Sequence, residues 1–518
     1  MKTTLLTVLK TLLLLAIVLA VIFFAGRVAV TQRSSPLQPW HTFVPKELDV
    51  KQIDQATWSA YVQRENEIMA EVQAEVGQHV PADQRVTANR YFDGSPMHPS
   101  HFKPDWNRSF VLQPEGKPVG AVVLVHGLTD SPYSVRHVAR SYAAKGFVAV
   151  APRLPGHGTV PAGLTRAEWE DWMATTRMAV REAQAHIQSD QPLHMVGYSN
   201  GGALAMKYTL EAIDNPQLRK PDRVVLLSPM IGVTRFARFA GLAGLPAVFP
   251  AFAQAAWLGV DPEFNPFKYN SFPVNGARQS YRLSSALQEH IARLEQRGAL
   301  KDLPPVQTFQ SVLDHTVSTQ AIITSLYDKL PANGSEIVLF DVNRSVKFGP
   351  LMRTSSDTAL EQLLPAPPKR YTVSVVTNAR PDDTAAVERR TTAGDLEAQT
   401  TALDQPYPPT IFSLSHISMP FPMDDPLYGV EPTSNEYGVN LGSIVARGER
   451  GALLLSMDGL YRLSANPFYP YMMKKIEANI AAPAATVPAK ALAVQASTTA
   501  AAGKPSPILQ DEKPSLAP

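Results

Sequence analysis

The chain has 518 residues, and 48 Lys and Arg against 46 Asp and Glu give a net charge of +2. That balance offers no basic field for nucleic acid and no acidic solvating block, while 45% hydrophobic residues suffice for a large core. No cysteine occurs, which excludes disulfides, thiolate metal sites, iron–sulfur clusters, a cysteine nucleophile and a lipidated cysteine anchor.

The first element is apolar. TLLLLAIVLAVIFFAG occupies 11–26, with Lys2 and Lys10 before it and Arg27 after it. The run 3–26, broken only by Lys10, is long enough to cross a bilayer with that lysine snorkelling. Residues 1–30 are read as an uncleaved membrane anchor. A cleaved signal peptide is the alternative, although no clean small-x-small site follows. The expected arrangement is single-pass, N-terminus inside, with the bulk of the chain exported (to the periplasmic side of the inner membrane in a bacterium). Residues 31–104 read as a linker and an amphipathic helical stalk or packing helix, because Leu48, Ile53, Trp58, Val62, Ile68, Met69 and Val72 recur near helical spacing over 46–77.

From 120 to 228 short apolar runs alternate with helical patterns. Strands are expected at Gly120–Val125, 147–152, 193–197 and Arg223–Leu227, with helices at 134–145, 165–189 and 201–213. Continuous apolar strands between helices mean a mostly parallel sheet covered on both faces. At the end of the third strand stands Gly197-Tyr198-Ser199-Asn200-Gly201, the G-x-S-x-G pattern in its strand–turn–helix setting. Such a turn presents Ser199 above the sheet, where Gly197 and Gly201 let strand and helix approach. A serine hydroxyl needs an adjacent base, and the charge developing on a substrate oxygen needs fixed N–H donors. The loop His126-Gly127-Leu128 after the first strand offers the backbone N–H of Leu128, and Asn200 offers the second. His126 and Gly127 read as loop support.

VLVHGLTDSPYSVRHVARSYAAKGFVAVAPRLPGHG and MVGYSNGGALA together resemble the serine hydrolases of the α/β-hydrolase fold, in the monoacylglycerol lipase, carboxylesterase and lysophospholipase group. The PGHG loop, Pro155 to Gly158, fits that likeness, with His157 structural or pocket-lining. Asp130 departs from it, since related loops often carry glycine there. The resemblance implies a triad in the order Ser, acid, His. Downstream of Ser199 the histidines are His290, His315 and His416. His290 lies in a helical stretch before any suitable acid, and His315 directly follows Asp314 at the close of the strand-like segment 306–313. His416, at the end of a strand-like run in PTIFSLSHISMPF, is therefore the expected base. Asp314, where the family places its acid, is its expected partner, and Asp341, closing EIVLFD, competes for that role.

The resemblance places the hydrolase domain at 105–480, with a helical cap insert at about 229–303 and an accessory insert at about 343–408. Within the accessory insert, RYTVSVVTN reads as a strand added at the sheet edge or an accessory hairpin. The cap carries Phe236, Phe239, Phe249, Phe252, Trp257, Phe264, Phe267, Tyr269 and Phe272, which would line an acyl pocket, bury against lipid, or form an ordinary core. Residues 481–518, rich in Ala and Pro, read as a disordered tail. No metal, phosphate or dinucleotide motif appears, so no cofactor is expected. The sequence points to an anchored serine hydrolase acting on a carboxylic ester, and the expected substrate is lipid-like, a monoacylglycerol or lysophospholipid. An aminopeptidase-like enzyme and a non-catalytic tethered scaffold are the alternatives.

Overall fold

The computed structural model describes residues 2–31, 35–232, 245–248, 250–314, 316–345, 360, 363–409, 411, 413–432, 434, 437–442 and 465–480. Phe236, Phe239, Phe249, His315 and the expected tail at 481–518 lie outside them. In chain order the helices are α1 (Lys2–Thr31), α2 (Pro39–Thr42), α3 (Val50–Gln55), α4 (Trp58–Glu75), α5 (Arg136–Ala144), α6 (Trp169–Ala185), α7 (Asn200–Asp214), α8 (Val274–Gln296), α9 (Thr319–Ser325) and α10 (Tyr469–Ile480). The strands are β1 (Phe110–Leu112), β2 (Gly120–Val125), β3 (Phe147–Ala151), β4 (Leu193–Tyr198), β5 (Arg223–Leu227), β6 (Trp257–Gly259), β7 (Phe272–Pro273), β8 (Val306–Ser311), β9 (Glu336–Phe340), β10 (Thr372–Asn378), β11 (Ala386–Thr391) and β12 (Gln399–Ala402).

Ten of these strands form one sheet in the order β1-β3-β2-β4-β5-β8-β9-β10-β11-β12. From β3 to β10 every neighbouring pair is parallel, while β1 and the β11–β12 pair are antiparallel at the two edges. The side chains of β2 show why the central strands read as unbroken apolar runs. Ala121, Val123 and Val125 join the core under α6, α7 and α8, whereas Val122 and Leu124 join the core under α5 and α10. Both faces are thus covered, as in the α/β-hydrolase fold.

The segment expected as one helix is two helices, because Asp49 and Thr57 each cap a fresh start, accepting the N–H of Gln52 and Ala60. Of the two expectations, a packing helix or a stalk, the contacts are those of a packing helix. Ile53 and Tyr61 pack with Ala174 and Met178 of α6, and the buried Glu65 accepts the N–H of Ser109 at 2.9 Å and pairs with Arg153. Arg153 also makes a forked contact with Glu47 at 2.8 and 2.9 Å. The edge strand or hairpin expected at RYTVSVVTN is β10, which continues the parallel sheet beyond β9 and turns back as β11 and β12. Within the described part of the cap insert, the one long helix, α8, is docked on the sheet core through Leu283, Leu287, Ile291 and Leu294. Trp257, Phe264, Phe267 and Tyr269 are core residues, while Phe252 and Phe272 are half-buried.

In α1 the stretch Thr4–Gly26, with a mean hydropathy of 2.8, is long and apolar enough to cross a membrane. A signal sequence has the same length and composition.

Candidate active site

β4 passes straight into α7, which leaves Ser199 at φ 55 and ψ −117, a backbone strain worth about 1–3 kcal/mol for a residue with a side chain. Two absent side chains allow the turn. A Cβ on Gly201 would overlap the Val125 carbonyl oxygen, and one on Gly127 would meet Ser199 Cβ at 3.2 Å. The first shows why α7 closes on β2, and the second brings the loop after β2 against the serine.

The structure brings Ser199, His416 and Asp314 into one hydrogen-bonded chain. Ser199 Oγ lies 2.9 Å from His416 Nε2, and His416 Nδ1 lies 2.8 Å from Asp314 Oδ2. Asp314 sits three residues beyond β8. Its other oxygen, Oδ1, accepts the N–H of Thr316 at 2.8 Å and of Val317 at 3.0 Å. Burial pushes the Asp314 carboxyl up, but the His416 ring and these amides outweigh it and hold the group below its ordinary value. With a carboxylate on one side, His416 carries its proton on Nδ1 and turns the Nε2 lone pair to Ser199. His416 does not close a strand as expected. It stands in a turn, where Tyr198 holds it by donating its hydroxyl proton to the His416 carbonyl (3.2 Å) and stacking on the ring at 5.6 Å.

The other candidates go elsewhere. Asp341 Oδ2 accepts from Thr377 Oγ1 at 3.0 Å and meets Arg344 at 3.4 Å. His290, on α8, is bonded to Asp214 at 2.9 Å. Asn200 is the first residue of α7, where N–H groups have no intrahelical acceptor. Leu128 lies in the turn beside Gly127, just before Thr129 at φ 62. His126 braces that loop. Its Nε2 accepts the Leu154 N–H at 3.1 Å, so its Nδ1 carries the proton given to the Gly127 carbonyl at 2.9 Å. Burial and the neighbouring His157 keep His126 neutral, far below its ordinary value. Asp130 is buried in the same turn, and burial pushes it up to about 6 despite the Lys268 charge and hydrogen bonds from Ser134, Ser131 and Gly127.

Sequence reasoning missed two supports. Tyr198 is one, although its place inside the G-x-S-x-G pattern could have suggested it. The other is Asp425, which clamps the His416-bearing segment to α5. Its fully buried carboxylate pairs with Arg136, meets His137 Nε2 at 2.8 Å, and accepts Tyr133 Oη at 3.0 Å and the N–H groups of Leu427 and Tyr428. Burial pushes Asp425 up, but the Arg136 charge and these hydrogen bonds hold it far below the carboxylate range.

Among known proteins, the family described as serine aminopeptidase, S33 matches over residues 116–342. A thermostable monoacylglycerol lipase of Bacillus sp. (strain H-257) is 30% identical over 209 residues, 39% of this chain and 73% of that protein. A carboxylesterase of Bacillus subtilis (strain 168) is 30% identical over 89 residues, 17% of this chain and 35% of its own length. Among solved structures, a monoacylglycerol lipase of Paleococcus ferrophilus is 18% identical, covering 49% of this chain and 98% of that one, with a TM-score of 0.35.

Proposed function

The chain belongs to the α/β-hydrolase-fold serine hydrolases of the monoacylglycerol lipase group, and from that premise we propose a membrane-anchored esterase whose substrates are monoacylglycerols or similar single-chain lipid esters. Ser199 Oγ attacks the ester carbonyl while His416 Nε2 takes its proton, and the Asp314 carboxylate steadies the resulting imidazolium. The N–H groups of Leu128 and Asn200 receive the charge on the carbonyl oxygen. The leaving alcohol takes the proton back from His416, an acyl–Ser199 ester remains, and a water deprotonated by the same nitrogen releases the acid. No cofactor enters these steps. The hydrogen-bonded chain of Ser199, His416 and Asp314 carries the reading, because its distances match a nucleophile, a base and an orienting acid. The apolar α1 and the monoacylglycerol lipase relative support anchoring and a lipid ester.

The test is labelling by a fluorophosphonate probe in wild type, Ser199→Ala and His416→Ala. Labelling lost in both folded variants supports the assignment, and strong labelling of His416→Ala moves the base elsewhere. The family's description as a serine aminopeptidase favours a second reading, cleavage of an N-terminal amide. Turnover of aminoacyl anilides ahead of p-nitrophenyl and monoacylglycerol esters would select it.

A further inference from the structure

Away from Ser199 a cavity of about 600 Å³ opens between α4 and the segment 90–108, with Gly158 and Thr159 also on its wall. Its depth is buried, at Arg90, Tyr91 and Phe102, and its rim is exposed, at Gln73, Asp93 and Lys103. Arg90 is 1% exposed. Its Nη1 donates to the Asn265 carbonyl at 3.1 Å and its Nη2 to Asn107 Oδ1 at 3.3 Å, both neutral acceptors, its Nε has no hydrogen-bond partner, and the other neighbours of the charge are the rings of Tyr91 and Tyr269, at 5.6 and 5.9 Å. Among the described residues no carboxylate stands within ion-pair distance of it. Glu263 feels the Arg90 charge, yet burial pushes that carboxyl up to about 7, and its oxygens accept the N–H groups of Asn270 and Ser271.

A guanidinium buried without a counter-ion is costly, and folded proteins ordinarily pair such a charge. At the rim Asp93 meets His98 at 3.1 Å and Asp105 meets Arg108 at 3.2 Å, so both carboxylates are engaged. Lys103 adds a further positive charge to the lining. Beside these cations the wall is apolar, formed by Met69 and Val72 of α4 with Phe102 and Tyr91. The volume lies within the roughly 300–1,000 Å³ of small-molecule sites.

We propose that this cavity binds an anionic amphiphile, a single carboxylate or phosphate head on Arg90 with an aliphatic tail along Met69 and Val72. The proposal is independent of the Ser199 chemistry. Arg90 supplies the counter-charge at the closed end, and Lys103 draws the anion in from the rim. A fatty carboxylate and a phospholipid-type phosphate share this chemistry.

Calorimetric titration of the full chain in phosphatidylcholine nanodiscs tests it, with octanoate, octyl phosphate, 1-octanol and inorganic phosphate as probes and empty nanodiscs subtracted. One site for octanoate or octyl phosphate is expected, and the tighter of the two identifies the head group. In Arg90→Met that site should weaken at least about tenfold, the loss expected for a hydrogen bond to a charged group. Since Arg90 also holds Asn265 and Asn107, Lys103→Glu and Val72→Trp test the same cavity with those bonds intact, and each should weaken binding. Equal binding of 1-octanol, binding of inorganic phosphate as tight as that of the amphiphiles, or undiminished binding in Lys103→Glu and Val72→Trp would each overturn the proposal. Fluorophosphonate labelling of the same preparations reports the Ser199 reading separately.

Discussion

Replacing Asp314 by Asn isolates the part of the site that depends on one proton. The two oxygens of Asp314 are not equivalent: Oδ1 accepts two backbone N–H groups, from Thr316 and Val317, and Oδ2 faces His416 Nδ1. An asparagine must keep its carbonyl oxygen on the two amides, because an NH2 group there would set donor against donor. Its NH2 then points at His416 Nδ1, which must accept, so the ring proton moves to Nε2 and faces Ser199. The base is left with no lone pair for the serine proton while the packing stays unchanged. A wrong tautomer of this kind costs about 10⁴ in kcat, equivalent to about 5.4 kcal/mol of barrier. The assay is kcat on p-nitrophenyl butyrate, with urea denaturation to confirm that stability is preserved and Asp341→Asn as the control, expected to retain wild-type kcat within a few fold. A loss below tenfold in Asp314→Asn, or an equal loss in the control, would refute the tautomer argument.

Three further outcomes follow from buried groups and close approaches. Asp425→Asn leaves Arg136 buried without its counter-charge, so urea denaturation should show a loss of about 3–5 kcal/mol. Asp130 gives up its proton near 3.8 in the unfolded chain but only near 6 when folded, so its raised value costs stability as pH climbs through that window and throughout above it. The full cost is about 3 kcal/mol. Asp130→Asn should therefore raise the melting temperature at pH 7.5 and leave it nearly unchanged at pH 4, and the reverse pattern would contradict the buried carboxyl. In Gly201→Ala the new methyl falls on the Val125 carbonyl oxygen, so soluble expression and phosphonate labelling should both collapse.

The central sheet was legible because strands buried on both faces must be apolar at every position, as GAVVLV and RVVLL are. Ser199 was legible for a local reason, since its strained turn needs small neighbours at fixed spacing. His416 and Asp314 were reached through chain order, and their distances in the fold accord with that choice. What escaped the sequence was long-range. Nothing near Asp425 announces that Arg136 lies against it from 289 residues away. Nothing in the sequence around Glu65 marks it as buried, yet it is sealed against Arg153. Periodicity saw α3 and α4 as one helix because two amphipathic helices in series, one short and one long, repeat the same spacing. Likewise the cap aromatics announced hydrophobicity but not which side they would face.

The docking of α2 sets a leash. Trp40 stacks on Tyr91 at 5.0 Å and His41 Nε2 meets Ser271 Oγ at 2.9 Å, so the body takes hold of the chain at that point. Between the end of α1 and the start of α2 lie residues 32–38. Fully extended, they span at most about 25 Å. With α1 seated in a bilayer, the hydrolase cannot patrol the aqueous space around it. Held within that reach of the membrane surface, it would meet chiefly substrates that lie in that surface or move along it.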